Sequence, residues 1–255
     1  FPATCHAWNH LCDVPAEALT GVDAIVHLAG EPVADKRWTA AQKALICDTR
    51  VLGTQRLVAA ALAHGTRVRA LVHGSAIGYY ANRGDATLHA NSAKGDGFLA
   101  DLVDDWEAQV RPLAEGRPGV RVAIVRTGVV LARHGGALAR MLPLFRASAA
   151  GRLGHGRQWM SWIHLDDAVR LFVHALHSRA TGVLEGVAPR PVPNREFTAA
   201  LCRALGVVEN VPAPALAIKA LYGEMNKLLL AEAFNRMSDR VAGDIHELGS
   251  TIKPF

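Results

Sequence analysis

Asp23-Ala-Ile-Val-His-Leu-Ala-Gly-Glu-Pro32 is a short apolar run that ends abruptly in small residues. Ala24, Ile25, Val26 and Leu28 have the composition of a parallel strand covered on both faces, too short for a helix. Ala29 and Gly30 remove side-chain bulk where the run stops, and Pro32 disfavours a helical conformation at Glu31. In open α/β sheets ligands collect at the carboxyl edge of such strands, so the end of this run is the reference point for the rest of the chain. On these ten residues alone, an ordinary core strand closed by a glycine turn is the preferred reading.

Working outward, Asp35 to Leu45 is helix-like, with Lys36, Arg37 and Trp38 at its start. From Asp48 a crossover helix places Val51, Leu52, Gln55, Leu57, Val58, Ala61 and Leu62 near helical period, and His64-Gly65 stops it. Gly53 lowers helix propensity by about 1 kcal/mol and is read as admitting a close neighbour. Val68 to His73 is a second buried strand, followed by Gly74-Ser75-Ala76-Ile77-Gly78-Tyr79-Tyr80. Phe98 to Val110 predicts an amphipathic helix and Arg121 to Val130 a third strand, ending Arg126-Thr127-Gly128-Val129-Val130. Alternating strands and helices with short connections predict a parallel, right-handed α/β sheet.

The chain has 255 residues, half of them hydrophobic, enough for one α/β domain with a modest extra lobe. No apolar run approaches the ~20 residues of a membrane span, and the first residues lack a signal-peptide pattern, so a cytoplasmic protein without membrane partners is expected. Cys5, Cys12, Cys47 and Cys202 show no pairing pattern and read as free thiols. The Cys5-His6 and His10 to Cys12 cluster lacks zinc-site spacing, and no metal is expected. The net charge of +5 comes mainly from dispersed arginines, which argues against a nucleic-acid partner.

Gly151-Arg-Leu-Gly-His-Gly-Arg-Gln-Trp-Met-Ser-Trp-Ile-His-Leu-Asp-Asp167 completes a set of motifs with His27-Leu28-Ala29-Gly30, the Ser75 segment, Arg126-Thr127-Gly128 and Pro189-Arg190-Pro191-Val192. As a set they resemble the extended and atypical short-chain dehydrogenase/reductase superfamily, and within it the epimerase-like family with an HLAGEP strand end and a GYYG-type turn, here Gly78-Tyr79-Tyr80-Ala81. Gly223-Glu224-Met225 resembles that family's C-terminal domain. The likeness runs from about Pro15 to Leu230. It implies a Rossmann-like parallel sheet with flanking helices over residues 1–130, a smaller C-terminal substrate lobe with returning elements over 131–230, and an atypical tail over 231–255.

Two departures accompany the match. The superfamily's glycine fingerprint, which holds the cofactor pyrophosphate, should precede Asp23 by several tens of residues. Only about 20 precede it, whereas the loop belongs to a βαβ unit of about 30, so the first βαβ unit is expected to be incomplete. The Tyr-x-x-x-Lys pair aligns with Phe98-Leu-Ala-Asp-Leu102, which has neither a phenol nor an ammonium. In the parent mechanism a serine binds the reacting oxygen, and Ser75 matches it.

The resemblance implies an NADP(H)-linked oxidoreductase or epimerase-like enzyme acting on a small molecule such as a nucleotide sugar, and a possible homodimer as its assembly. A cofactor-binding regulatory protein without turnover and an inactive remnant remain open alternatives. Ser75 and Tyr79 are the candidate catalytic residues, although Tyr79 and Tyr80 read at least as well as packing rings. His27, Leu28, Ala29, Gly30, Ser75, Arg126, Thr127, Gly128 and Val129 are the candidate cofactor contacts, being at strand ends. Without the glycine loop, weak NADPH binding or none is expected. Lys36, Arg157, Gln158, Trp159 and Trp162 are the candidate substrate contacts, the last four lining a cleft that faces the ends of the Ile25 and Val72 strands. The side chain of His27 is expected to be a hydrogen-bonded core group. Asp166-Asp167 is expected to cap the helix running to His177, and Ala231 to Phe255 to pack loosely.

Overall fold

The computed structural model of the chain describes residues 3–147, 151–209, 215–222, 224 and 236–237. A 3-10 turn, Ala16–Leu19, precedes β1 (Ala24–His27), α1 (Ala40–His64), β2 (Ala70–Ala76), a 3-10 turn at Ile77–Tyr80, and β3 (Thr87–Leu88). Then come α2 (Phe98–Ala108), α3 (Arg111–Gly116), β4 (Arg121–Thr127), β5 (Val129–Leu131), α4 (Gly136–Arg146), β6 (Trp159–Met160) and β7 (Trp162–His164). The described elements end with α5 (Leu165–His177), β8 (Gly182–Gly186), β9 (Val192–Pro193), α6 (Asn194–Leu205), α7 (Ala215–Tyr222) and β10 (Arg236–Met237). Four strands form one sheet in the order β1-β2-β4-β8, with β1 and β2 parallel and His27 opposite His73. The expected α/β sheet with flanking helices is therefore present, but β1 is not covered on both faces as its composition suggested: Ile25 and His27 are buried, whereas Ala24 and Val26 are exposed at the end of the strand order.

The chain forms two compact units. One takes the described residues up to Ser75 with Asp101–Val125 and Phe172–Val183; the other takes Ala76–Ala100, Arg126–Leu171 and the described residues from Leu184 onward. In the first unit Leu19, Ile25, Val58, Ala61, Val68, Leu71, Val110 and Leu113 form the core, which joins β1 and β2 to α1 and α3. Helix α1 begins later than its sequence pattern suggests, because Thr39 accepts a hydrogen bond from the Gln42 N–H at 3.1 Å and so caps the helix there. Lys36 to Trp38 belong to the preceding loop, where Trp38 donates its indole N–H to the Val33 carbonyl at 2.8 Å. From that cap the helix runs without interruption through Gly53. Arg121 caps the far end of α5 by donating to the carbonyls of Ala175, Leu176 and Ala180 at 3.3, 2.9 and 3.1 Å.

In the second unit Leu131, Leu138, Leu142, Met160 and Phe197 form one cluster, with Trp162 packed against it. Ile77, Tyr80, Leu88, Val187 and Met237 form another. The third strand of the sequence reading is broken at Gly128, whose N–H reaches the Gly186 carbonyl at 2.9 Å while the next N–H, that of Val129, turns to the Ser161 carbonyl at 2.9 Å. Beyond the break β5 runs parallel to β7. Of the tail expected to pack loosely, Arg236 and Met237 are described: they pair with Thr87 and Leu88, and Met237 is buried. The remainder of Ala231 to Phe255, and Gly223 and Met225, lie outside the described residues.

Helix α5 starts at Leu165, which places Asp166 and Asp167 inside its first turn, where they face the positive end of the helix dipole. The cap comes from His164 instead, whose Nδ1 accepts the Asp166 N–H at 3.2 Å. The expected aspartate cap is thus replaced by the His164 ring, while Asp166 and Asp167 support the first turn through their charge.

Two glycines separate helix propensity from steric need. A Cβ on Gly53 would lie 3.5 Å from His10 Cβ and 3.6 Å from the Trp8 ring, which is ordinary contact, so the close approach expected there is not required. A Cβ on Gly128 would stand 2.3 Å from the Ser161 carbonyl oxygen, which cannot move without breaking the β5 to β7 pairing. Gly53→Ala is expected to stabilise the fold by about 1 kcal/mol, and Gly128→Ala to destabilise it by about 3 kcal/mol. Chemical denaturation of both variants checks the opposite signs.

Candidate functional site

The carboxyl ends of β1 and β2 carry a buried polar cluster against α1 and α2. His27 and His73 stack with ring centroids 5.3 Å apart, and His73 meets the edge of Trp106 at 4.8 Å. The Thr54 hydroxyl joins both helices to the strand end: it receives the Trp106 indole N–H at 2.8 Å and is 2.9 Å from His27 Nε2. His27 is thus the hydrogen-bonded core residue that its position suggested, and what it offers outside the cluster is backbone. Burial holds its pKa down at about 4, and burial followed by the neighbouring His27 holds that of His73 at about 3, so both rings are neutral at neutral pH. Among the described residues neither ring nitrogen of His73 has a hydrogen-bond partner.

Ser75 lies two residues beyond His73, on the same face of β2. Its hydroxyl donates to Glu107 Oε1 at 2.6 Å, and both groups are buried. With its proton engaged in this way, Ser75 offers an incoming ligand its lone pairs. Leu28 is 65 % exposed, and Ala29 and Gly30 are exposed with it. The loop beyond them is tied to α1: Glu31 accepts from Lys36 and Gln42 at 3.1 Å each, and its N–H donates to Thr49 at 3.0 Å. Those side-chain hydrogen bonds from Gln42 and Lys36 hold the Glu31 carboxyl below its usual range. Lys36, a candidate substrate contact, is therefore paired with Glu31 on the surface.

In the second unit Arg126 and Tyr79 come together. The Arg126 guanidinium lies 3.4 Å from the Tyr79 ring centroid and donates to the Tyr80 hydroxyl at 2.8 Å and the Ala90 carbonyl at 3.3 Å. Tyr80 is fully buried and donates in turn to Glu185. Burial, then the Glu185 charge, pushes the Tyr80 phenol far above its ordinary value, so it stays protonated. Tyr79 is the half-exposed member of the pair. The N–H groups of Gly128 and Val129 are spent on Gly186 and Ser161, and the side chain of Val129 packs in the Leu131 cluster.

The glycine-punctuated segment is divided in its exposure. Arg157 is exposed, and its backbone N–H donates to the His155 ring at 2.9 Å. Gln158 is buried and donates to the Leu153 carbonyl at 3.0 Å. Trp159 is half-exposed, with its N–H on Asp85 at 2.8 Å and Arg236 5.2 Å from its ring. Trp162 packs on the Leu131 cluster. Among the described residues no three His, Cys, Asp or Glu side chains gather to hold a metal.

Thr54, Trp106, Glu107 and Glu185 were not singled out from sequence. Glu107 lies 32 residues from Ser75 and Glu185 105 residues from Tyr80, distances over which no local period operates. A buried-side acid in the otherwise apolar face of α2 was the available signal for Glu107.

Comparison with known proteins identifies the family. The NAD dependent epimerase/dehydratase family model matches residues 10–100 and 103–187, and the chain belongs to that family. It is 43 % identical over 208 residues to the epimerase family protein Mb2239 of Mycobacterium bovis, covering 81 % of this chain and 68 % of that protein. The crystal structure of human epimerase family protein SDR39U1 (isoform 2) with NADPH matches with a TM-score of 0.83 and 30 % identity, over 95 % of this chain and 83 % of that one. The nucleoside-diphosphate sugar epimerase from Corynebacterium glutamicum matches with a TM-score of 0.67 and 31 % identity, over 97 % of this chain and 53 % of that one.

The stacked histidines give the fold a defined acid limb. Their native pKa values lie below the ordinary 6.5, so the unfolded chain binds protons that the native cluster refuses. Stability is complete above pH 6.5 and falls with pH towards the native values near 4 and 3. The loss by about pH 4.5 is expected to be about 2 kcal/mol per histidine. Urea midpoints measured across this range check it, and His73→Phe, which keeps a ring against Trp106, should remove roughly half of the slope.

Proposed function

We propose that this protein binds NADP(H) and handles a small-molecule substrate, with a nucleotide sugar as the favoured class. The observation that carries the reading is the likeness to the human SDR39U1 structure with NADPH over 95 % of this chain. The epimerase from Corynebacterium glutamicum, named for nucleoside-diphosphate sugars, supports the substrate class. At the end of β1 the exposed Ala29-Gly30 backbone carries little side-chain bulk to keep a flat ring away, which suits the nicotinamide nucleotide. When bound, the cofactor supplies hydride transfer.

The chain's own residues hold and orient. Ser75, fixed by Glu107, accepts a hydrogen bond from a ligand hydroxyl, and Tyr79 supplies or takes a proton at its phenol oxygen beside Arg126. Arg126 to Val129 contribute to cofactor binding through this fixed framework. Lys36, Arg157, Gln158, Trp159 and Trp162 select substrate, with Trp159 and Arg157 the members most open to a ligand. A second reading, cofactor binding without turnover, is favoured by the buried Leu102 at the position of the superfamily's lysine, where no ammonium is available to assist a phenol.

Phosphate contacts set how tightly residues 1–255 by themselves hold the cofactor. Among residues 3–23 the only regular element is the turn Ala16–Leu19, so the described residues offer no glycine-rich strand, turn and helix for the pyrophosphate. Charge-assisted hydrogen bonds contribute about 1.5 to 3 kcal/mol each, and two of them correspond to more than about a hundredfold in affinity. Calorimetry on residues 1–255 is expected to give a dissociation constant for NADPH of about 100 μM or somewhat weaker. Low-micromolar binding would overturn the weak phosphate contact, and no saturable binding would overturn the cofactor reading. Adding nucleoside-diphosphate sugars while following NADPH absorbance separates turnover from binding alone.

A further inference from the structure

Arg50 is the side chain for which the family reading provides no task. It projects from α1, about three turns into the helix, towards the end of β1, where its Nη1 donates to the Glu31 carbonyl at 2.8 Å and to the Ile46 carbonyl at 3.3 Å. The guanidinium lies 5.0 Å from the Trp106 ring centroid on one side. On another it rests against bare backbone: a Cβ on Gly30 would stand 3.1 Å from its Cζ. Gly30 thus admits the cation to the strand end, and the packing of Trp106, Gly30 and the two carbonyls fixes its plane.

This cation is only half-exposed, and it makes no ion pair among the described residues. The nearest loop carboxylate, Glu31, is committed to Lys36 and Gln42. Burial lowers the pKa of Arg50 below its ordinary value, a sign that the charged form is incompletely compensated, although it remains a cation at any physiological pH. The Nη1 bonds leave the donors on Nε and Nη2 unused among the described residues, and these form the edge that matches two oxygens of a phosphoryl group. A structural clamp would need Nη1 alone.

We propose that Arg50 is an anion-binding residue at the carboxyl end of β1, presenting Nε and Nη2 to a phosphoryl oxyanion of a nucleotide. The proposal extends the cofactor reading above but does not depend on it, since the phosphoryl group can belong to a dinucleotide or to a nucleoside-diphosphate substrate. Gly30 has a second role under this assignment, because a Cβ there would stand 3.1 Å from Cζ and crowd the guanidinium.

The test is a calorimetric titration of the full chain at low ionic strength with inorganic pyrophosphate, NADPH and uridine diphosphate. Arg50→Met is expected to weaken pyrophosphate binding at least about tenfold, and Arg50→Lys, which keeps the charge without the fork, to restore part of it. Equal pyrophosphate affinity of wild type and Arg50→Met overturns the proposal. A loss shared by NADPH assigns the phosphoryl group to the cofactor, and a loss shared by uridine diphosphate alone assigns it to substrate. Failure of NADPH to bind any form refutes the cofactor reading while the pyrophosphate comparison still decides Arg50. Should Arg50→Met fail to fold, the Nε–H resonance of Arg50 in the wild-type protein decides: pyrophosphate must shift it, and an unmoved resonance overturns the assignment.

Discussion

A single threonine hydroxyl joins the elements on which the sheet end depends. Thr54, buried on α1, meets His27 at the end of β1 and Trp106 on α2, and Trp106 in turn packs edge-on to His73 at the end of β2. Two strand termini and two helices are thereby fixed at one point. The arrangement needs neutral imidazoles, which burial enforces, and a hydroxyl able to accept from an indole N–H that would otherwise be unsatisfied in the interior. With the side chains of His27 and His73 facing the core, the chain beyond β1 emerges as exposed backbone, bare of bulk at Ala29 and Gly30.

The polar groups around this point differ in how far they are committed. Ser75 is held by Glu107, the Glu31 carboxylate by Lys36 and Gln42, and one end of the Arg50 guanidinium by two carbonyls. In the other unit, Arg126, Tyr80 and Glu185 form a buried sequence of hydrogen bonds with Tyr79 over the cation. Such networks specify geometry, because a displaced member leaves a desolvated charge or phenol behind. They also separate side chains that build the framework from those with remaining capacity, namely Tyr79, Arg157 and the outer edge of Arg50.

The sheet was legible in the sequence because short apolar runs ending in Gly or Ser mark parallel strands; β2 is buried nearly throughout as such a run suggests, whereas β1, at the end of the strand order, buries Ile25 and His27 and exposes Ala24 and Val26. The start of α1 was not, since a Thr39 cap overrides the helix-forming residues ahead of it. Gly128 was legible as a strand-end glycine but not as the point where the Ser161 carbonyl passes close to the backbone. At the candidate site Ser75 and Tyr79 could be picked out from their motifs, whereas Glu107 and Glu185 are partners brought in by the fold from distant segments. Ala81 stands where the resembling family has glycine, and it adopts φ 50° and ψ −156°, a region that a side chain disfavours. That turn is held by the buried Tyr80 before it and not by local preference.

The central proposal is that the exposed backbone at the end of β1, beside the buried end of β2, receives the nucleotide. Hydrogen exchange followed by mass spectrometry, with and without saturating NADPH, tests it most directly. The account predicts added protection in the peptides spanning residues 28–31 and 74–76 and in the segment of α1 around Arg50. Protection absent from all three, with binding established by calorimetry, would contradict it.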